Sequence, residues 1–192
     1  MDIPVVYFDK TGAQNTDLTL QVARERCLTL GIKEVVVAST HGGTGFKTLK
    51  VFKGTNVQII VVGISHSFHS EGWVMDNAIR HQLENQGAKV LISLHALGDD
   101  INAGFSGSEV FYPNQIVAET LRRFSQGMKV AVEITIMAAE AGLIGIDREV
   151  ISIGGTHEGA DTAIVVKPSY ARHFLNFEIH EILTKPRCPE EG

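Results

Sequence analysis

Small polar residues that could bind an anion stand directly after an apolar run at residues 35–38. They are Ser39, Thr40, His41, Gly42, Gly43, Thr44 and Gly45. The apolar run predicts a buried strand, the glycines a sharp turn, and the spacing that follows a helix. At the start of a helix, free backbone N–H groups and the positive end of the helix dipole favour a phosphate. The segment therefore predicts a phosphate-binding loop, with a glycine-rich connection that binds nothing as the alternative.

A second apolar run ends in similar chemistry. Residues 149–153 lead into two glycines and then Thr156, His157, Glu158 and Gly159, so Thr-His-x-Gly occurs twice in the chain. Glu158 and Asp161 could hydrogen-bond the hydroxyls of a ribityl or ribose group, with simple turn formation as the alternative. Thr156 and His157 could bind ribityl hydroxyls together with Asp161. His66 and His95 follow two further apolar runs. We predict His66 as part of the same binding site.

The histidines after these runs raise the question of catalysis or metal binding, because imidazole titrates near neutral pH. The alternative is that each caps a loop or hydrogen-bonds a phosphate. The sequence has no H-x-x-x-H or C-x-x-C spacing. We therefore predict no metal site, and no residue is assigned a catalytic role.

Composition limits the class of protein. The chain has 192 residues, 44% of them hydrophobic, with a net charge of -5 and two cysteines. The acidic balance and the lack of a basic stripe predict no nucleic-acid partner. No apolar run reaches membrane-spanning length, and the cysteines form no disulfide framework. We expect a cytoplasmic protein without a membrane partner, and the sequence leaves a homo-oligomer open.

The elements that position these residues alternate between strand and helix. Core strands are predicted at 34–38, 57–62, 89–94, 149–153 and 162–166, a short strand at 5–8, an edge strand at 177–180, a long loop at 96–113 and a tail at 185–192. The helix predicted at 128–143 should be buried, since Lys129, Glu133 and Glu140 are its only charged residues and share one narrow face. The connection before the fifth core strand is too short for a crossover, so that strand should be antiparallel.

This alternation predicts one α/β domain over residues 1–192, with a mostly parallel sheet between two helical layers. Ligands of such sheets bind beyond the carboxyl ends of the strands, where the strand order reverses. If the fourth core strand joins the first on the side opposite the second, the two Thr-His loops face each other. They would then form one pocket for a phosphorylated small molecule.

The sequence also resembles a known family. Val35 to Thr44 and Glu149 to Thr156, each in its strand–loop context, resemble the C-terminal α/β domain of pyruvate kinase. Asn15-Thr16 and the Gly-Ala-Asp-Thr-Ala segment at 159–163 are more similar to the small stand-alone pyruvate kinase C-terminal-like proteins. The resemblance covers nearly the whole chain, and it implies a sheet of order 3-2-1-4-5, counted from the strand at 34, with the last strand antiparallel.

The resemblance implies a ligand as well. In the kinase this loop binds a phosphate of a sugar bisphosphate effector, whereas flavin mononucleotide (FMN) is associated with the stand-alone proteins. Thr44 matches the hydroxyl that opens the helix and Gly42 the loop glycine, but Thr40 and Gly43 replace the Lys or Arg of the kinase. We expect FMN, bound either by an enzyme or by a non-catalytic regulatory module; that module could instead bind a sugar phosphate or another phosphorylated metabolite.

Overall fold

A seven-stranded sheet forms the centre of the protein in a computed structural model that describes residues 4–98, 104 and 112–188. Its strands are β1 (Val6–Phe8), β2 (Glu34–Ala38), β3 (Gln58–Gly63), β4 (Lys89–Ile92), β5 (Val150–Gly154), β6 (Thr162–Lys167) and β7 (Glu178–Pro186). Their order across the sheet is β1-β7-β6-β5-β2-β3-β4. Most of the loop predicted at 96–113, and residues 189–192 of the predicted tail, lie outside the described residues.

Helices cover both faces of this sheet. They are α1 (Thr16–Leu30), α2 (Gly43–Val51), α3 (Asn77–Asn85), α4 (Pro113–Arg122) and α5 (Gln126–Glu140). Apolar residues of α1, α2 and α3 pack in one cluster with one face of the strands, and those of α4 and α5 pack in a second cluster with the other face. The fold is therefore the three-layer α/β arrangement predicted from the alternation of elements.

The strand order agrees with the expected 3-2-1-4-5 arrangement. Counted from β2, the five core strands lie in the order β4-β3-β2-β5-β6, and β6 is antiparallel to β5. The strand order reverses between β2 and β5, which pair in parallel with Val35 opposite Ile151 and Val37 opposite Ile153. Because paired parallel strands end at the same edge, the loops that follow β2 and β5 are neighbours.

The last strand is longer than predicted, and it is not an edge strand. β7 reaches Pro186 and lies between β6 and β1, so Lys185 and Pro186 belong to the sheet rather than to the tail. The edge is β1, where Val6 pairs with Thr184 and Phe8 with Pro186. A parallel pair between the two ends of the chain leaves no local sequence pattern, which explains the missed residues.

Helix α5 is buried along nearly its whole length, as predicted. Gly154 allows this close approach to the sheet, because a Cβ at that residue would lie 2.3 Å from the carbonyl oxygen of Gly127. Ser152 Oγ donates a 2.7 Å hydrogen bond to the carbonyl of Ala131. Because α5 packs this closely, two charged residues of its narrow polar face, Lys129 and Glu133, are buried.

Candidate functional site

The loop after β2 turns into α2 through Gly42, which has φ 89° and precedes the first residue of the helix. Ser39 is buried; its N–H donates to the carbonyl of Val62 (2.9 Å) and its hydroxyl accepts from the N–H of Gly45 (3.1 Å). Gly42, the residue before the helix, has no side chain to cap it, and Ser39 instead accepts from the third residue of α2. Ser39 thus holds the loop in shape from the inside and occupies one backbone N–H of the first turn, which leaves the N–H groups of Gly43 and Thr44 without a side-chain acceptor among the described residues.

Two of the three glycines in this loop are explained by packing. A Cβ at Gly42 would lie 2.4 Å from Cγ2 of Ile79 in α3, and one at Gly45 would lie 3.2 Å from side-chain atoms of Val61 and Leu83. Gly43 differs, because a Cβ there would have no heavy atom within 4 Å. The packing of α2 against α3 and β3 therefore requires a glycine at 42 and favours a small residue at 45, but it does not restrict residue 43.

The remaining loop residues divide into exposed and buried groups. His41 and Gly43 are exposed, Thr40 is half-buried, and Thr44 is buried with its carbonyl accepting from Thr48 Oγ1 at 2.8 Å. The backbone at Gly43 is consequently open to solvent in the first turn of α2. Backbone amides at such a position can bind an anion.

The loop after β5 lies beside the first loop and contains an unpaired polar group. Thr156 is 2% exposed, and its buried hydroxyl has no hydrogen-bond partner. A buried hydroxyl without a partner loses about 1–3 kcal/mol, so such groups are uncommon. His157 and Glu158 are exposed, and His157 has a positive φ of 58°, which is uncommon for a residue other than glycine.

Asp161 fixes the loop after β5 to a distant part of the chain. It is fully buried, and its two carboxylate oxygens accept from the N–H of Gly12 (3.1 Å) and the hydroxyl of Thr162 (2.8 Å). Nearby, Thr16 Oγ1 accepts from the N–H of Ala160 at 3.0 Å. These bonds attach the loop after β5 to the segment that precedes α1. The carboxylate faces this junction, whereas the sequence predicted it as a contact for ligand hydroxyls.

The segment after β3 contributes an aromatic stack at the end of the sheet where β2, β3 and β5 finish. His66 is exposed and begins a 3-10 helix, His66–Glu71, which Ser65 caps by accepting from the N–H of Ser67. Within and after it, the ring of Phe68 stacks on Trp73 and on His95, with 6.0 Å between ring centroids in both pairs. Trp73 is 51% exposed.

A buried ion pair was not recognised as part of a site from the sequence. Lys129 Nζ lies 2.5 Å from Glu133 Oε2, and the side chains are only 8% and 4% exposed. The other oxygen of Glu133 accepts from the N–H of Leu97 at 2.9 Å. The available signal was a Lys and a Glu spaced i,i+4 on an otherwise apolar helix, since this spacing brings them together.

Shifted pKa values occur away from the two loops. Hydrogen bonds to Glu149 and Glu178 raise the pKa of His180, and the bond to His180 lowers the pKa of Glu178. Burial raises the pKa of the Cys27 thiol to about 11 and lowers that of the Lys185 ammonium. In the described part of the chain, no group of three or more His, Cys, Asp or Glu residues could hold a metal ion.

Two concave regions lie elsewhere on the surface. A cavity of about 360 Å³ is lined by residues of α4, α5 and β7, and one of about 250 Å³ by residues around the turn after β6. Neither is lined by a predicted site residue. Across residues 4–98 and 112–188, no helix has the length and apolar character needed to cross a bilayer.

The similarity of this chain to known proteins is low. No family model matches the sequence. Among solved structures, a pyruvate kinase from Cryptosporidium parvum is similar over 80% of this chain, with 12% sequence identity and a TM-score of 0.41. The chain spans 22% of the length of that pyruvate kinase chain. The roles of the site residues rest on their own contacts.

Proposed function

We propose that this protein binds a phosphorylated small molecule at the carboxyl edge of the sheet, between residues 39–45 and 155–161. FMN is the first candidate for that molecule. The observation that carries the proposal is the start of α2, where Ser39 takes up the N–H of Gly45 but the backbone of Gly43 is exposed with free space around it. A phosphate there would accept from backbone N–H groups at the positive end of the helix dipole.

The neighbouring loop supports this proposal. The buried, unpaired hydroxyl of Thr156 stands in the loop that follows β5, next to β2 in the sheet. Thr156 Oγ1 is closed to solvent, so a ligand hydroxyl would have to displace part of the loop to reach it and would then supply the partner that Thr156 lacks. Asp161 supports the ligand indirectly, by holding this loop against Gly12.

FMN fits the donors of the first loop better than a bisphosphate does. Residues 39–45 contain neither Lys nor Arg, so the charge of a phosphate would be balanced by amides, hydroxyls and the helix dipole alone. One phosphate needs less compensation than two. FMN also carries hydroxyls and a planar ring beyond its phosphate, for which the loop after β5 and the aromatic segment after β3, on either side of the loop after β2, are the candidate contacts.

We also propose that the chain is related to the stand-alone pyruvate kinase C-terminal-like proteins. This rests on the sequence motifs and agrees with the order of the five core strands. A non-catalytic regulatory module is the second candidate function, with a sugar phosphate or another phosphorylated metabolite as its ligand. It is favoured by the donors of the first loop, because amides and hydroxyls bind anions without titrating near neutral pH.

Equilibrium titration with FMN, riboflavin and fructose 1,6-bisphosphate tests the proposal. We expect FMN to bind more tightly than riboflavin, because only FMN carries the phosphate. Equal affinity would show that the loop assignment is wrong, and binding of the bisphosphate alone would favour the regulatory module. Reduction of bound FMN by a nicotinamide donor, with turnover, would favour an enzyme.

Thr44→Val tests the loop itself. The substitution removes a hydroxyl at similar volume and should weaken FMN binding by about 1–3 kcal/mol, which is typical for loss of a buried hydrogen-bond partner. Thr120→Val is a matched control, because Thr120 lies on the exposed side of α4 and its hydroxyl bonds only within that helix. Unchanged affinity of the Thr44 variant would mean that this hydroxyl does not contact the ligand.

A further inference from the structure

The aromatic stack after β3 and the buried ion pair of α5 belong to one connected set of contacts. Glu133 accepts from the N–H of Leu97, two residues after His95. The ring of His95 stacks on Phe68, and Phe68 stacks on Trp73 with an interplanar angle of 17°. The N–H of Trp73 also donates to the carbonyl of Phe68 at 3.2 Å. These contacts lead from the interior of α5 to a half-exposed indole.

The ion pair has features that oppose stability. Both side chains are buried, so both charges lose their hydration. Lys129 lies in the first turn of α5, where the helix dipole disfavours a cation. Lys also precedes Glu in the i,i+4 pair, which is the less favourable order. An apolar pair would avoid all three costs, which suggests that the charges serve a purpose other than stability.

The aromatic stack has the position that a ring-binding surface needs. It lies on the segment between β3 and α3, at the carboxyl edge next to the loop after β2. Helix α3, which follows this segment, packs Ile79 against Gly42 of that loop. Trp73 stacks on Phe68, and about half of its surface remains exposed. Stacked aromatic rings at such distances attract one another beyond their burial of area.

We propose that Trp73 is the stacking surface for the planar ring of the phosphorylated ligand, and that the Lys129–Glu133 pair positions this surface through Leu97, His95 and Phe68. The proposal rests on the proposed function, because it concerns the ring of the same ligand. Trp73 contacts the ligand directly. Lys129 and Glu133 are positioning residues. The Glu133 carboxylate holds the segment that carries His95 by accepting from the N–H of Leu97.

The first experiment compares a ligand with a ring and one without. Trp73 is the only tryptophan of the chain, so quenching of its fluorescence by FMN follows FMN binding, and the Trp73 variants test the contact itself. Ribitol 5-phosphate is FMN without its ring, and calorimetry measures its binding. We expect Trp73→Ala to weaken FMN binding by about 5- to 150-fold, the range for loss of one stacked ring, and to leave ribitol 5-phosphate binding unchanged.

Two control variants sharpen the comparison. Trp73→Phe keeps a ring and should recover most of the FMN affinity. Phe124→Ala removes an exposed ring that lies after α4, away from the stack, and should change neither affinity. Unchanged FMN binding by Trp73→Ala, or equal loss for both ligands, would overturn the ring assignment while leaving the phosphate site in place. Failure of both ligands to bind the wild-type protein would instead overturn the proposed function.

A separate measurement tests whether Lys129 and Glu133 position Trp73. In the ligand-free protein, Glu133→Gln with Lys129→Met keeps an acceptor for the N–H of Leu97 and is the control. Glu133→Leu with Lys129→Met removes that acceptor and should shift the emission maximum of Trp73, because the stack loses its fixed position. Glu133→Leu with Lys129→Met should also weaken FMN binding several-fold and leave ribitol 5-phosphate binding unchanged. An unchanged emission maximum together with unchanged FMN affinity would show that the pair does not position Trp73.

Discussion

Lys129→Met tests the buried ion pair through protein stability. The substitution leaves the Glu133 carboxylate, whose side chain is 4% exposed, with the N–H of Leu97 as a remaining donor. Removal of one partner of a buried pair typically costs 3–5 kcal/mol, because an uncompensated charge stays in the interior. We therefore expect the free energy of unfolding to fall by about 3 kcal/mol, and the midpoint of thermal unfolding by roughly 6–12 °C in a protein of this size.

The double substitution Lys129→Met with Glu133→Gln gives the decisive comparison. It removes both charges, and the Gln oxygen can still accept from the N–H of Leu97. If each single substitution costs about 3 kcal/mol, independent residues would together cost about 6 kcal/mol. We expect a loss of at most about 3 kcal/mol, because no charge is left unpaired. Urea unfolding followed by circular dichroism measures all three variants without relying on Trp73 fluorescence.

Lys47→Met is the matched control for the single substitution. Lys47 Nζ lies 3.0 Å from Asp17 Oδ1, but the two side chains are 52% and 84% exposed. Exposed pairs contribute about 0–1 kcal/mol, so this variant should be nearly as stable as the wild type. If Lys129→Met costs no more than Lys47→Met, the argument that Glu133 is left as a buried, uncompensated charge is refuted.

Three further predictions concern the site loops and the outer strands. Gly42→Ala should destabilise the fold by more than about 1 kcal/mol, because φ at Gly42 is 89° and Ile79 occupies the space that a Cβ would need. Gly43→Ala should fold normally and bind FMN less well. Equal stability of the two variants would show that Ile79 does not restrict residue 42. Asp161→Ala should lower the free energy of unfolding by about 2–3 kcal/mol, since the N–H of Gly12 and the hydroxyl of Thr162 lose their acceptor. The pKa of His180 is raised, so its stabilising contribution is present below pH 6.5 and is lost as the pH rises through the pKa of the folded state. The difference in the free energy of unfolding between the wild type and His180→Gln should therefore shrink over that range. A difference that stays constant with pH would contradict a stabilising ion pair at His180.

The core of the fold could be predicted because its strands leave a strong local signal. Buried parallel strands such as β2 and β3 are continuous apolar runs, and a loop of seven residues between β5 and β6 excludes a helical crossover. The pairing of β1 with β7 could not be predicted in this way. It depends on contact between distant parts of the chain, and β1 contributes only three residues to it.

The candidate site was predicted less completely, because glycine and aspartate have several uses. Gly42 and Gly45 read as residues of a ligand loop, yet each also fits beneath a side chain of α3, and no local pattern identifies that neighbour. Asp161 reads as a polar loop residue. Its burial depends on Gly12, 149 positions earlier in the chain. Gly43 is the loop glycine whose small size packing does not explain.

This difference between the glycines changes how the motif supports a ligand. A glycine required by packing would be present whether or not the loop binds anything, so Gly42 and Gly45 do not distinguish a binding loop from a plain connection. Gly43 does distinguish them, because a larger residue would fit there in the absence of a ligand. A phosphate bound at the start of α2 would explain Gly43, because a side chain at that residue would stand beside the exposed backbone that the phosphate contacts.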